Sequence, residues 1–272
     1  MEKETIRKFG FYFFDALEGI PVAATDGEIG KCADVLFYDQ RGHVAYFVVD
    51  TGKWFSHNKV LIGPTAIDTG KVQAKASRPL GAIPSTLTRE KVEASPPYDS
   101  EKPVSDEYRE RLAEHYKWPY EVGDTALWGP SVFAGETVAG GPDSSPATDR
   151  PDSPPDPEEV EEAGRNALRS AREIVGYRVI SKDDTEIGKV SDVVLDTIFS
   201  ALPYLRVREN AVLKPRDLIV PWECIAGFSL SAQDIRTTLD EAILSHAPEA
   251  PAEEEFSDSS VESAIRSYYQ LF

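Results

Sequence analysis

The sequence predicts a mainly β protein with two small barrels, each followed by short C-terminal helices. Three observations lead to this fold class. The chain repeats itself, the repeated parts are short β-branched and aromatic runs between tight turns, and a proline-rich segment separates them. Gly19 of the first copy returns as Gly176, and Glu28-Ile-Gly-Lys31 returns as Glu186-Ile-Gly-Lys189. A repeat of this length far exceeds a solenoid unit, so it indicates a duplicated domain.

Composition sets the expected domain boundaries. We expect a first module over residues 1–126, a linker over 127–163 and a second module over 164–272. The linker is acidic and rich in proline, serine and glycine, a composition that separates domains. Each module has roughly 100 residues, enough to bury a core of its own. We therefore expect two independently folding modules with few contacts between them.

The strands follow in order within each module. In the first copy, runs at 33–38 and 44–49 are joined by a hairpin loop with Gly42 at the expected left-handed position. The second copy's hairpin, around 198–203, lacks this chemistry and is expected to be looser. Further strands are expected at 59–62, 66–76, 190–197, 204–208 and 217–221. Such a series of short strands predicts a small closed or nearly closed barrel.

Short helices are predicted after the strands. Thr88 and Ser231 are each expected to open one. Later, apolar residues recur at helical spacing around 108–116 and 261–269, which predicts a helix docked on each barrel. Gly30 and Gly188 each stand between a turn and a strand, where glycine marks a bulge or a close backbone approach.

Charge is concentrated in the connecting segments. Of the net charge of −18, residues 142–162 contribute eight acids against one base, and residues 249–262 contribute six acids and no base. Such segments stay solvated, which favours a spacer over a binding tail. There is no basic stripe for nucleic acid and no apolar run long enough to span a membrane. Cys32 and Cys224 occupy non-equivalent positions, which predicts a reducing, cytoplasmic location.

Few residues could carry chemistry. The four histidines are scattered, Cys32 has no base close in sequence, and no nucleophile elbow, phosphate loop or dinucleotide fingerprint is present. The carboxylates around the first turn of each copy have the wrong spacing for a calcium loop, and Asp26-Gly27 is ordinary turn chemistry. We therefore interpret their recurrence as the duplication of a hairpin, a structural role. The carboxylates are Asp26, Glu28, Asp34, Asp184, Glu186 and Asp192. We therefore predict no catalytic residue, no cofactor and no metal.

Trp54 and Phe55 are the remaining candidates for a functional contact. They follow a turn and precede His57, so they could form an exposed recognition loop. The alternative is that Trp54 covers one end of the barrel. We single out Trp54 and Phe55 as the possible interaction site.

Several short motifs resemble the PRC-barrel family, the β-barrel found in the cytoplasmic part of the photosynthetic reaction-centre H subunit. The second copy departs from the pattern at Thr185, which stands where the first has Gly27, and at Arg206 and Arg208. The resemblance implies a non-catalytic module used in assembly. The motifs are Gly19-x-x-Val22, Asp26-Gly27-x-Ile29-Gly30-Lys31, Tyr46-x-Val48-Val49-x-Thr51-Gly52, Lys59-Val60-Leu61-Ile62, Ile187-Gly188-Lys189 and Leu218-Ile219-Val220-Pro221.

Three classes of function follow from these observations. The favoured one is a soluble, bacterial, non-catalytic protein-interaction or assembly module with an unknown protein partner. Homo-oligomers and peripheral association with a membrane complex are compatible with it. The resemblance implies two alternatives, an accessory protein related to photosynthetic reaction centres or electron-transport complexes, and a ribosome- or RNA-processing-associated factor. An enzyme is disfavoured because no paired nucleophile and base is found, and direct nucleic-acid binding because no basic stripe is found.

Overall fold

The computed structural model describes residues 11–52, 59–72, 80–118, 167–196, 198–211, 214–252, 255 and 259–270. Over these residues the protein is mainly β, as predicted, with two sheets and a few short helices. The two sheets correspond to the two copies of the repeat.

The first sheet is built from the first copy, in the strand order β5–β4–β3–β2–β6. Neighbours are antiparallel except β2 and β6, which are parallel. Its strands are β2 (Pro21–Ala24), β3 (Gly27–Tyr38), β4 (His43–Asp50), β5 (Lys59–Ile62) and β6 (Ile83–Pro84).

The second sheet repeats this arrangement in the order β11–β10–β9–β8–β13–β12. As in the first sheet, one neighbouring pair, β8 and β13, is parallel. Its strands are β8 (Arg178–Ile180), β9 (Glu186–Asp196), β10 (Tyr204–Glu209), β11 (Asp217–Pro221), β12 (Ile225–Ser229) and β13 (Asp234–Thr237).

Short helices cover the ends of the sheets. The predicted helix after Thr88 is confirmed, and the Thr88 side chain accepts a hydrogen bond from the Lys91 backbone N–H. The two docked helices are also confirmed, with Leu112 and Ile265 buried. The helices are α1 (Phe14–Leu17), α2 (Arg89–Glu93), α3 (Asp106–Tyr116), α4 (Ala171–Ile174), α5 (Glu241–Ser245) and α6 (Ser259–Gln270).

The two hairpins that join the central strands close in different ways. Gly42 has a φ of +63° and its N–H donates to Tyr38 O at 2.8 Å, as the sequence predicts. In the second copy the Asp196 side chain closes the hairpin, because its carboxylate accepts hydrogen bonds from the backbone N–H and the hydroxyl of Ser200. Phe199 there is fully buried. The expectation that this second hairpin is looser is therefore wrong.

Two other predicted elements differ in the structure. Residues 64–66 form a 3-10 turn instead of starting a strand, and residues 73–79 lie outside the described part of the chain. No helix opens at Ser231, because Asp234–Thr237 forms β13, and Ile235 is buried between β12 and β8. Backbone pairing on both sides, antiparallel to β12 and parallel to β8, decides in favour of the strand.

The two halves exchange their first strands. Strand β1 (Phe11–Phe13), which begins the first copy, pairs with β9 of the second sheet. Strand β7 (Leu168–Ser170), which begins the second copy, pairs with β3 of the first sheet. Both pairings are antiparallel and have the same register, since Phe13 faces Val194 as Ser170 faces Leu36.

This exchange contradicts the expectation of few contacts between the modules. Strands β3 and β9 are 12 and 11 residues long, and only the first part of each pairs with its own β2 or β8. The last three residues of each pair with the other half's first strand, and buried side chains from both halves form one hydrophobic cluster. The boundaries predicted near residues 126 and 163 lie outside the described residues, so they stay predictions.

Among the helices of the described residues, none has the length and apolar character that crossing a bilayer requires.

Candidate functional site at the junction of the halves

The predicted interaction residues, Trp54 and Phe55, lie outside the described residues. The structure does describe the residues on either side of them. The Gly52 N–H donates to the Asp50 carboxylate at 2.8 Å, and Gly52 has a φ of +59°. Asp50 and Lys59 face each other as the last pair between β4 and β5. Residues 53–58 therefore connect two paired, well-packed strands.

The structure draws attention instead to the two strand exchanges. The pairing of β7 with β3 is named the β7 junction, and it includes Asp34, Asp39 and the first residues of α4. The pairing of β1 with β9 is named the β1 junction, and it includes Asp192 and the first residues of α1. Asp34 and Asp192 occupy equivalent positions in the repeat, and both lie inside long strands. They therefore belong to the strands that the sequence predicts at 33–38 and 190–197, and not to the turn that precedes each strand.

At the β7 junction every buried charge has a partner. The Asp34 carboxylate accepts from the Ser170 hydroxyl at 2.5 Å and from the Arg172 backbone N–H at 3.1 Å. Arg169 is only 5% exposed, and its Nε donates to the Asp39 carboxylate at 3.0 Å. Burial raises the pKa of Asp34, while the hydrogen bonds from Ser170 and Arg172 oppose that rise.

A surface ion pair completes the β7 junction. The Arg172 guanidinium donates to Glu18 at 2.5 Å and to Ala33 O at 2.6 Å. Arg172 belongs to the second copy, whereas Glu18 and Ala33 belong to the first. The side chains of the Arg172–Glu18 pair are 56% and 44% exposed, so this pair adds little to stability.

The β1 junction keeps the same backbone geometry but different chemistry. Phe13 stands where Ser170 stands in the other copy, and Asp15 stands where Arg172 stands. Asp192 Oδ1 accepts from the backbone N–H groups of Asp15 at 3.3 Å and Val193 at 2.8 Å. Asp192 is only 2% exposed, and its Oδ2 has no hydrogen-bond donor among the described residues. Burial, followed by the charge of Asp15, raises the pKa of Asp192 to about 8.

Aromatic rings of both halves contact each other at the β1 junction. Phe11 packs edge-on against Tyr204 with ring centroids 5.6 Å apart, and Tyr12 packs on Phe199 at 5.4 Å. Phe199 also contacts Phe47 of the first sheet at 5.5 Å. This junction therefore depends on apolar burial, whereas the β7 junction depends on paired polar groups.

Trp222 links the halves at a third place and was missed by the sequence analysis. Its indole N–H donates to Asp39 O at 3.1 Å, and its ring packs edge-on against Phe37 at 5.1 Å. A Cβ on Gly42 would lie 2.7 Å from the Trp222 ring, so the hairpin glycine also makes room for it. One signal could have found it, because Trp222 follows the repeated Leu-Ile-x-Pro motif where the first copy has Thr65.

The other candidate groups take structural roles. Asp26 accepts from the Arg89 backbone N–H at 2.8 Å, and Asp184 pairs with Arg236 at 2.6 Å. Burial raises the pKa of the Cys32 thiol to about 12, so it stays protonated at neutral pH. Over the part of the chain that the structure describes, no three His, Cys, Asp or Glu side chains are grouped as metal ligands.

No curated protein matches the chain. A model of the PRC-barrel domain matches it twice, over residues 9–77 and 168–244, and the two matches together cover more than half of its length. Each match begins at or near an exchanged strand; the first includes β1 to β5, and the second includes β7 to β13. The chain therefore belongs to the PRC-barrel family and carries two copies of the domain.

Proposed function

We propose that this protein is a non-catalytic protein-interaction or assembly module that acts as one fused pair of PRC barrels. The observation that supports this most is the reciprocal exchange of β1 and β7, together with the hydrophobic core that both halves share. A symmetric dimer presents each surface twice. Here the duplication presents related surfaces twice on one chain, which suits a protein that holds other molecules in place.

We propose the loop of residues 53–58 as the main contact, because it carries Trp54 and Phe55 between the paired ends of β4 and β5. Aromatic anchors dominate protein interfaces, while surrounding contacts mainly exclude water. The equivalent loop of the second copy, between β10 and β11, has no aromatic residue but contains Leu213. The two loops therefore provide a test residue and a matched control in one chain.

The experiment uses the intact chain, immobilised and incubated with a lysate of its own organism, and captured proteins are identified by mass spectrometry. Trp54→Ala should reduce the capture of the specific partner by about tenfold or more, the loss expected for a hot-spot aromatic. Leu213→Ala should leave capture unchanged. Both variants should melt within a few degrees of the wild type. If Trp54→Ala instead unfolds the first barrel, Trp54 belongs to the core and the contact assignment fails.

We also propose a cytoplasmic location. Both cysteines are free in the structure, Cys32 buried and Cys224 partly buried, which suits a reducing compartment. Fractionation of cells that express the tagged chain at its native level checks this location.

A further inference from the structure

The carboxyl group of Asp192 is an unusual feature of the β1 junction. It lies inside β9, where β1 and the start of α1 cover it, and Oδ2 receives no hydrogen bond from the described residues. The Asp15 carboxylate on α1 is a charged neighbour, and it offers another acceptor instead of a donor. A buried carboxyl group without a donor on one oxygen and with a second carboxylate beside it favours its protonated form.

Among the described residues, Asp192 accepts hydrogen bonds from two backbone N–H groups and from no cation. Arg206 faces Asp192 across β9 and β10, but its guanidinium donates to Asp217 of β11 at 2.8 Å and lies over the Phe13 ring at 5.0 Å. Ser191 of β9 donates to Arg206 O. The charged groups on the elements next to Asp192 are therefore Asp15, Arg206 and Asp217, and the buried Nε of Arg206 has no hydrogen-bond acceptor within the part of the chain that the structure describes.

We propose that Asp192 holds a proton in the closed β1 junction, and that release of this proton loosens the pairing of β1 with β9. Of the two facing carboxyl groups, Asp192 is the buried one and Asp15 is exposed. Once Asp192 ionises, a buried negative charge lies next to the Asp15 carboxylate, which disfavours the closed junction. The β7 junction is the internal reference, because a hydroxyl and a backbone N–H from the other half already satisfy Asp34 there.

The direction of the pH effect follows from the shift. The pKa of Asp192 is higher in the folded junction than in an opened one, so the closed junction is favoured at low pH. Its advantage is lost progressively as the pH rises from the ordinary aspartate range toward about 8. Above that range no further change is expected.

The test uses the full-length chain with 13C-labelled aspartate carboxyls, titrated by NMR from pH 4 to pH 9. In the same samples, hydrogen exchange of the Tyr12 and Phe13 amides is compared with that of the Arg169 and Ser170 amides. We expect Asp192 to titrate near pH 8. We expect protection at β1 to fall by about tenfold or more across the range, and protection at β7 to change less, since one unit of pKa corresponds to a tenfold change.

Asp15→Asn removes the facing charge and should lower the midpoint of Asp192 and reduce the pH dependence at β1. Burial, the larger cause, keeps part of the shift. Glu107→Gln, an equal change of charge at an exposed position of α3, should alter neither. The proposal is overturned if Asp192 titrates below pH 5 in the wild type. It is also overturned if β1 and β7 respond alike, or if Asp15→Asn leaves the pH dependence of β1 intact.

Discussion

The β7 and β1 junctions have the same backbone register and opposite side-chain chemistry. At the β7 junction, Ser170 and Arg172 meet Asp34, and Arg169 meets Asp39 in a nearly buried ion pair. At the β1 junction, aromatic rings fill the same space and Asp192 keeps an unsatisfied oxygen. The same strand pairing therefore forms with very different side chains, provided that the edges of β3 and β9 each have a strand to pair with.

This difference shows what gene duplication permits. In a dimer of identical subunits, both junctions carry the same residues, because the interface is self-complementary. In a single chain with two copies, each junction can change alone. In this chain the β7 junction is held by paired polar groups, and the β1 junction by aromatic rings next to a titratable carboxyl group.

The largest effect should come from separating the halves. Fragments 1–126 and 160–272 each lose the strand that completes their sheet, and the first exposes the aromatic residues Phe11–Phe14, which are 2–5% exposed in the intact chain. Each fully buried phenylalanine contributes about 1.5–3 kcal/mol. We expect each fragment alone to melt at a much lower temperature and with less cooperativity than the intact chain.

Mixing the two fragments provides the control. Equimolar mixtures should form a one-to-one complex on size exclusion with light scattering, and its melting temperature should approach that of the intact chain. Monomeric fragments that each melt cooperatively at the temperature of the intact chain would show that the exchange is not needed for folding. That outcome would restore the expectation of independent modules.

Trp222→Ala should give the largest effect of a single substitution at the junctions. The change removes a ring that contacts Phe37 and Phe228, and it leaves Asp39 O without its indole donor. We expect a loss of about 3–5 kcal/mol in the free energy of unfolding, measured by denaturant titration. Thr65→Ala, at the equivalent and exposed position of the first copy, should change stability by less than about 0.5 kcal/mol. Equal effects would mean that the halves are not held together at Trp222.

Arg169→Leu tests the buried ion pair of Arg169 with Asp39 at the β7 junction. The substitution leaves the Asp39 carboxylate partly buried without its cation, and the loss of one partner of a buried pair costs roughly 3 kcal/mol. Adding Asp39→Asn should recover part of this loss, because the uncompensated charge is then removed. Arg172→Leu, which removes only the exposed pair with Glu18, should cost less than about 1 kcal/mol. If Arg172→Leu causes the larger loss in the free energy of unfolding, the Arg169–Asp39 pair is not the main polar contact of the β7 junction.

The sequence predicts local features well and distant ones poorly. The hairpin at Gly42 and the two repeated cores follow from turn chemistry and strand pattern, and the structure confirms them. The exchange could not be predicted, because β1 and β7 have three residues each and no short pattern specifies which sheet a strand joins. The same limit hid the role of Asp34 and Asp192, whose partners lie more than 130 residues away in the chain.

The smallest expected difference concerns Gly30 and Gly188, and it compares the two sheets directly. The predicted close backbone approach is confirmed, because a Cβ would lie 2.3 Å from Asp50 O at Gly30 and 2.0 Å from Arg208 O at Gly188. We expect Gly30→Val and Gly188→Val each to lower the free energy of unfolding by about 1–3 kcal/mol.

Gly30 also has a φ of +147°, a conformation that side chains disfavour, whereas the φ of Gly188 lies outside that range. The loss at Gly30 should therefore exceed the loss at Gly188 by about 1 kcal/mol. Thermal unfolding of the full-length variants measures both losses. A larger loss at Gly188 would mean that the closer contact outweighs the backbone angle, and wild-type melting of both would refute the steric argument itself.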